Sequence, residues 1–90
     1  MTSYEFEKVA KNAVIEVLLP KIEITIDQLE LVWFAHELGY KKCTIWGKPM
    51  GYLYAEVTYN RDQDEIYVDI YQKLCNRKFA ANSFNYDAGN

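Results

Sequence analysis

Apolar side chains recur at helical spacing in the first eighteen residues, and Glu, Lys and Asn fill the opposite side. Thr2 and Glu5 have the spacing of a capping box, which satisfies amide donors at the start of a helix. Pro20 disfavours helix at the residue before it. The pattern predicts an amphipathic helix that begins near Thr2 and stops near Leu18. Its predicted apolar side consists of Phe6, Val9, Ala10, Ala13, Val14, Val17 and Leu18.

Two later segments alternate between apolar and polar residues with the period of a half-buried strand. In the first, Leu53, Ala55 and Val57 alternate with Tyr52, Tyr54, Glu56 and Thr58; in the second, Ile66, Val68 and Ile70 alternate with Glu65, Tyr67, Asp69 and Tyr71. Residues 60–64 are polar and typical of a turn. The two segments therefore predict an antiparallel hairpin.

Residues 29–38 allow two interpretations. Thr25 and Gln28 at one end and Gly39 at the other could cap a second helix. The run 31–34 is instead apolar on both faces, as a central strand would be, and residues 43–46 read as a second strand after a turn at Gly39 and Tyr40. The hairpin is the favoured interpretation.

The predicted fold class is α+β, with the N-terminal amphipathic helix packed on a four-stranded antiparallel β-meander. The alternative makes residues 26–38 a second helix and leaves a three-stranded sheet. Ninety residues, half of them apolar, suit a single domain. We expect this domain to span residues 1–79, because residues 80–90 are polar and without a period and predict a flexible tail.

Neither a leader-like N-terminus nor an apolar run of the roughly 18 residues that cross a membrane occurs in the sequence. We therefore expect a cytoplasmic protein without membrane association. Cys43 and Cys75 lack the spacing of a redox pair, and both are expected to be structural thiols that pack as small hydrophobic side chains.

The net charge of −3 argues against a dedicated nucleic-acid-binding protein, which needs a basic face. The basic clusters at Lys41, Lys42 and Lys48 and at Lys73, Arg77 and Lys78 are expected to be solvated surface. The alternative is single-stranded nucleic-acid binding through Lys41, Lys42, Lys73, Arg77 and Lys78, with Trp46 or Tyr40 available to stack on bases.

Motifs of the common enzyme classes are missing from the sequence. His36 is the single histidine, and the acidic turn of Asp62, Asp64 and Glu65 lacks the glycine and distal glutamate of a calcium loop. We expect a non-enzymatic protein with no catalytic residue, no cofactor and no metal. The alternative is a small-ligand or enzymatic role that uses these four side chains.

The outward side of the predicted hairpin is the most informative feature of the sequence. If the apolar residues of both strands share the core side, Thr58 lies opposite Tyr67, Glu56 opposite Asp69, and Tyr54 opposite Tyr71. Two adjacent carboxylates repel, so they indicate a basic partner, a cation or a neighbouring lysine such as Lys73. Tyrosines that merely pack across strands are the alternative. The candidate partner-binding residues are Tyr52, Tyr54, Glu56, Tyr67, Asp69 and Tyr71.

Part of the chain, roughly residues 25–78, resembles a known group of proteins. The segments that carry this resemblance are residues 31–33, 52–60 and 64–73. Together they resemble a family of short uncharacterised proteins from phages and prophages of Gram-positive bacteria with low genomic GC content. The chain departs from that pattern at residues 37–41 and in its Asn-rich tail. The resemblance implies a helix followed by strands and a phage or prophage origin, and it supplies no activity.

The leading functional hypothesis is a phage or prophage accessory protein that binds a host or phage protein through the Tyr-rich, acidic face. Tyrosine is favoured in protein interfaces, and acidic side chains suit a basic target. The alternative from another class is a homo-oligomeric minor structural protein that assembles through a sheet edge or the tyrosine face.

Overall fold

The computed structural model describes residues 1–84, and these form one helix, four strands and three short 3₁₀ turns. Helix α1 spans Ser3–Leu18, and the strands are β1 (Leu29–Glu37), β2 (Tyr40–Gly47), β3 (Leu53–Asn60) and β4 (Glu65–Gln72). The strands pair in chain order, each antiparallel to the next. The predicted α+β fold with a four-stranded meander is therefore confirmed. The alternative second helix is wrong, because only Ile26–Gln28 is helical there, as a 3₁₀ turn.

The capping box at the start of α1 is present as predicted. The Glu5 amide donates to the Thr2 hydroxyl at 3.1 Å, and the Thr2 amide donates to the Glu5 carboxylate at 3.0 Å. These bonds lower the pKa of Glu5. The helix ends at Leu18, directly before the Leu19-Pro20 step.

The buried side of α1 is narrower than the sequence pattern predicts. Phe6, Ala10, Val14 and Leu18 are buried, whereas Val9 and Val17 are exposed. A row of residues four apart is enough for a lone helix on a sheet, since no further layer packs against its flanks. Val9 and Val17, which the sequence pattern assigns to the apolar side of the helix, therefore lie outside the core.

The core lies between α1 and one face of the sheet. Phe6 and Val14 of the helix and Cys43, Ile45 and Val57 of the central strands are fully buried. Phe6 packs against Phe34 with ring centroids 5.9 Å apart. Because α1 is the one α-helix of the described residues, it covers this face and leaves the opposite face open.

Strand β1 lies at the edge of the sheet, so the prediction of a central strand from its apolar run is wrong. The register shifts between Leu31 and Trp33, which is a bulge at Val32. Val32 and Trp33 are 61% and 53% exposed. The run 31–34 is apolar on both faces of the strand because the bulge exposes the side chains of Val32 and Trp33 to solvent.

The first hairpin turns at Leu38 and Gly39, one residue earlier than predicted, and Tyr40 already belongs to β2. Leu38 has φ of 52° and Gly39 has φ of 86°, as a two-residue type I′ turn requires. A Cβ at Gly39 would also approach Arg61 Cδ to 2.6 Å. Both the backbone and the close contact therefore favour glycine at this position.

The two cysteines have different environments. Cys43 is fully buried in the core, as expected, and burial raises the pKa of its thiol to about 11. Cys75 is exposed after the end of β4, so its prediction as a packed thiol is wrong. Beyond it, Ala81–Ser83 forms a 3₁₀ turn, and the rest of the predicted tail, 85–90, lies outside the described residues. No helix within residues 1–84 is long and apolar enough to cross a membrane.

Candidate functional site

The sheet face opposite α1, called the open face below, carries the candidate residues from the second hairpin. Strand alternation places every second side chain of β2, β3 and β4 there. Its residues are Lys42, Thr44, Trp46, Tyr54, Glu56, Thr58, Tyr67, Asp69 and Tyr71, which are half-buried or exposed. Trp33 and Ala35 of β1 extend it, since they pair with Thr44 and Lys42.

The predicted register of the second hairpin is confirmed at all three positions. Thr58 pairs with Tyr67, Glu56 with Asp69, and Tyr54 with Tyr71. The Tyr54 and Tyr71 rings stack, with centroids 5.3 Å apart and planes inclined by 22°. Glu56 and Asp69, called the acidic pair below, lie two residue pairs further along the same strands.

Lys42 of β2 lies next to the acidic pair. Its Nζ lies 3.0 Å from Glu56 Oε1, and the hydrogen bond to Glu56 raises the pKa of Lys42. The lysine beside Glu56 is therefore Lys42. The prediction that Lys73 would be this lysine is wrong for Glu56. Alternation along β2 was the signal that could have identified it.

Asp69 forms no ion pair within residues 1–84. Its charge, followed by that of Glu56, raises the pKa of the neighbouring Tyr71 hydroxyl. The acidic pair therefore presents one neutralised carboxylate and one that still attracts cations, and a stacked tyrosine pair lies directly beside them.

An open groove of about 740 Å³ adjoins the tyrosine pair on the open face. Its lining includes Val32, Thr44, Trp46, Tyr52, Tyr54 and Leu74, and we call it the aromatic groove. The Trp46 indole N–H donates to the Gly51 carbonyl at 2.9 Å, which fixes the orientation of the ring. Sequence reasoning missed Val32 and Leu74 as site residues and considered Trp46 only for nucleic acid.

A second hollow of about 340 Å³ lies at the other end of the open face. Lys42, Thr58 and Tyr67 contribute to its lining, and the Tyr67 hydroxyl donates to Glu65. Of the six predicted residues, Tyr54, Glu56, Asp69 and Tyr71 form one contiguous cluster. Tyr52 stands at the aromatic groove, whereas Tyr67 belongs to the far end.

Two carboxylates of the acidic turn accept hydrogen bonds from tyrosine hydroxyls. Tyr40 donates to Asp62, and Tyr59 donates to Asp64 at 2.7 Å. Both bonds raise the pKa of the tyrosine concerned, because they favour its protonated form. His36 is exposed on β1, opposite Lys41 rather than these carboxylates. Within residues 1–84, no three His, Cys, Asp or Glu side chains are grouped as a metal ion would require.

The residues proposed for nucleic-acid binding are not brought together on one surface. Lys41 is only 4% exposed and lies over the Tyr59 ring at 5.7 Å, so its prediction as solvated surface is wrong. Lys42 points to the open face and pairs with Glu56. Lys73, Arg77 and Lys78 are exposed at and beyond the end of β4, as expected.

Residues 7–81 match a family described as a family of unknown function, DUF6275. The chain belongs to this family. No curated protein and no solved structure matches it. The DUF6275 match begins inside α1 and extends past β4, so it includes all four strands. In this DUF6275 chain, the open face, the acidic pair and the aromatic groove therefore all belong to the family domain.

Proposed function

We propose that this protein is a non-enzymatic accessory protein of phage or prophage origin that binds a host or phage protein through its open face. The origin rests on the resemblance carried by residues 31–33, 52–60 and 64–73. The binding role rests on the composition and exposure of the open face.

The observation that carries the binding role is an exposed aromatic groove directly beside a carboxylate without an ion-pair partner in residues 1–84. Trp46 and the stacked pair of Tyr54 and Tyr71 offer large, well-oriented rings. Aromatic side chains of this kind dominate the binding energy of protein interfaces, because they bury much area at little entropic cost. Exposed apolar patches rimmed by polar groups are typical of interaction sites.

The charge of the face specifies the chemistry of the partner. A lysine or arginine of the partner would meet Asp69, while an apolar side chain enters the aromatic groove. The acidic pair and the tyrosine pair are two residues apart along each strand, which is about 7 Å. An extended segment with a basic residue and an apolar residue at positions i and i+2 matches that spacing.

The test compares capture of proteins from a bacterial lysate by the tagged wild-type chain and by the variant Asp69→Lys/Tyr71→Ala. The matched control is Asp27→Lys/Tyr4→Ala, which makes the same chemical changes at exposed positions of the first 3₁₀ turn and of α1. A captured protein is then purified, and its Kd is measured over a salt series.

We expect the open-face variant to weaken binding about tenfold or more and the control to leave it unchanged. Affinity for the wild-type chain should fall as salt rises, since salt screens the contact with Asp69. Equal affinity for the wild-type chain and the open-face variant would contradict the proposal.

A further inference from the structure

The segment after β4, residues 73–84, forms no further strand, and the Lys73 amide, which donates to the Tyr52 carbonyl at 2.7 Å, attaches its start to the sheet. Every residue from Tyr71 to Phe84 is exposed. Large apolar side chains are among them, with Leu74 88%, Phe79 51% and Phe84 56% exposed. The radius of gyration is 16.1 Å, against about 12 Å for a compact domain of this length. Residues 73–84, called the arm below, therefore present apolar surface without a cover.

The aromatic residues of the arm contact one another. The Phe79 and Phe84 rings meet edge to face at 5.1 Å, and the Arg77 guanidinium lies over Phe79 at 4.8 Å. The arm carries three basic residues and no acidic one, whereas residues 1–72 carry twelve acidic and seven basic residues. It thus combines the two properties that complement the open face, namely positive charge and exposed aromatic rings.

We propose that the arm of one chain docks on the open face of a second copy, and that the second copy returns its own arm in the same way. Arg77 and Lys78 meet the acidic pair, and Phe79 enters the aromatic groove. The inference rests on the binding face of the proposed function, so the second copy and a foreign partner exclude one another there.

The position of the arm's root supports reciprocal exchange. Lys73, Leu74 and Cys75 line the aromatic groove of their own chain, so the arm departs from the rim of the site that it would fill in the neighbour. Residues 76–84 line neither hollow of their own chain. Two chains related by a two-fold axis can therefore exchange arms and form a closed dimer. In this dimer both arms are docked and both open faces are occupied.

A charge-swap experiment with full-length chains tests this exchange by sedimentation velocity over a concentration series. The face variant is Asp69→Lys, and the arm variant is Arg77→Glu/Lys78→Glu. Asp27→Lys is the control for charge reversal elsewhere, and circular dichroism melting verifies that every variant folds.

We expect a wild-type dimer, a control dimer, and dimerisation weakened about tenfold or more in each of the two variants alone. An equimolar mixture of the face and arm variants should regain the dimer, since each reversed element then meets its complement. A wild-type chain that stays monomeric at its highest soluble concentration would overturn the inference. So would a mixture that dimerises no better than its separate components.

The outcomes also separate this inference from the proposed function. A monomeric wild-type chain whose captured partner is lost with Asp69→Lys/Tyr71→Ala would refute arm exchange and leave the proposed function standing. A dimer that obeys the charge swap, with no protein captured by the dissociated arm variant, would support arm exchange and count against a foreign partner.

Discussion

Lys42 Nζ lies 3.0 Å from Glu56 Oε1, so a lysine of β2 neutralises one of the two carboxylates that β3 and β4 place side by side. The contact is diagonal, since Lys42 pairs with Thr58 and Glu56 pairs with Thr44. It relieves the repulsion within the acidic pair and leaves Asp69 as the attractive charge of the open face.

Replacing Lys42 with Gln should lower the urea midpoint of unfolding at low salt, because Glu56 and Asp69 then repel without a nearby cation. The decrease should shrink at about 1 M salt, where charges more than a few ångströms apart are screened. Lys48→Gln is the control, since Lys48 is exposed and forms no ion pair within residues 1–84. An effect of Lys42→Gln that is the same at both salt concentrations would refute the electrostatic explanation.

Alkaline pH should destabilise the fold partly through Tyr59, whose hydroxyl donates to Asp64 and whose pKa is therefore raised. In the unfolded chain, tyrosine hydroxyls lose their protons at about pH 10. The stabilisation from Tyr59 is therefore complete below that pH and is lost as the pH rises through the higher pKa of the folded state.

The measurement is the urea midpoint between neutral pH and about pH 11, which brackets the ordinary tyrosine pKa. Tyr59→Phe should be less stable than wild type at neutral pH and should lose less stability above about pH 10. Tyr52→Phe is the control, because Tyr52 is exposed and its hydroxyl makes no hydrogen bond to residues 1–84. Parallel curves for wild type and Tyr59→Phe would show that this bond does not contribute to the pH dependence.

Two valines of α1 test the narrow buried side of the helix. Val14 is fully buried, so Val14→Ala should reduce the free energy of unfolding by about 2 kcal/mol, from lost burial and the cavity left behind. Val17 is 51% exposed, and Val17→Ala should change the free energy of unfolding by less than about 0.5 kcal/mol. Equal losses in urea denaturation would mean that Val17 also packs in the core.

The two cysteines should react at very different rates with a thiol reagent such as Ellman's reagent. Thiolate is the reactive form of cysteine. Cys43 is buried, and burial raises the pKa of its thiol to about 11, so little thiolate is present at neutral pH. Cys75 is exposed and should account for all rapid labelling of the native chain. The Cys75→Ser variant should then react only on addition of denaturant. Rapid labelling of native Cys75→Ser would show that the core around Cys43 opens readily.

Local sequence signals were sufficient for the helix and the second hairpin. Thr2 and Glu5 define the start of α1 through hydrogen bonds three residues apart, and Pro20 lies just beyond its end. The register of β3 and β4 follows from an alternation with period two, since a slip of one residue would turn every apolar side chain to the wrong face. These features depend on neighbours in sequence, so the sequence alone determined them.

Other features depended on which strands become neighbours and on what covers each face. The apolar run at Val32 and Trp33 is compatible with a buried central strand or with an exposed bulge at an edge, and only the sheet order decides between them. Lys42 meets Glu56 because β2 pairs with β3. Leu74 joins Val32 and Trp46 at the aromatic groove because β1 and the end of β4 approach the same region of the open face.

The sequence by itself therefore determined the helix, the second hairpin and the outward side of that hairpin. Tertiary structure decided that this side stays open, how its charge is balanced, and which residues complete the groove. The physical reason is that periodicity records which side of an element is apolar. The neighbours across that side come from long-range pairing, which a local pattern does not encode.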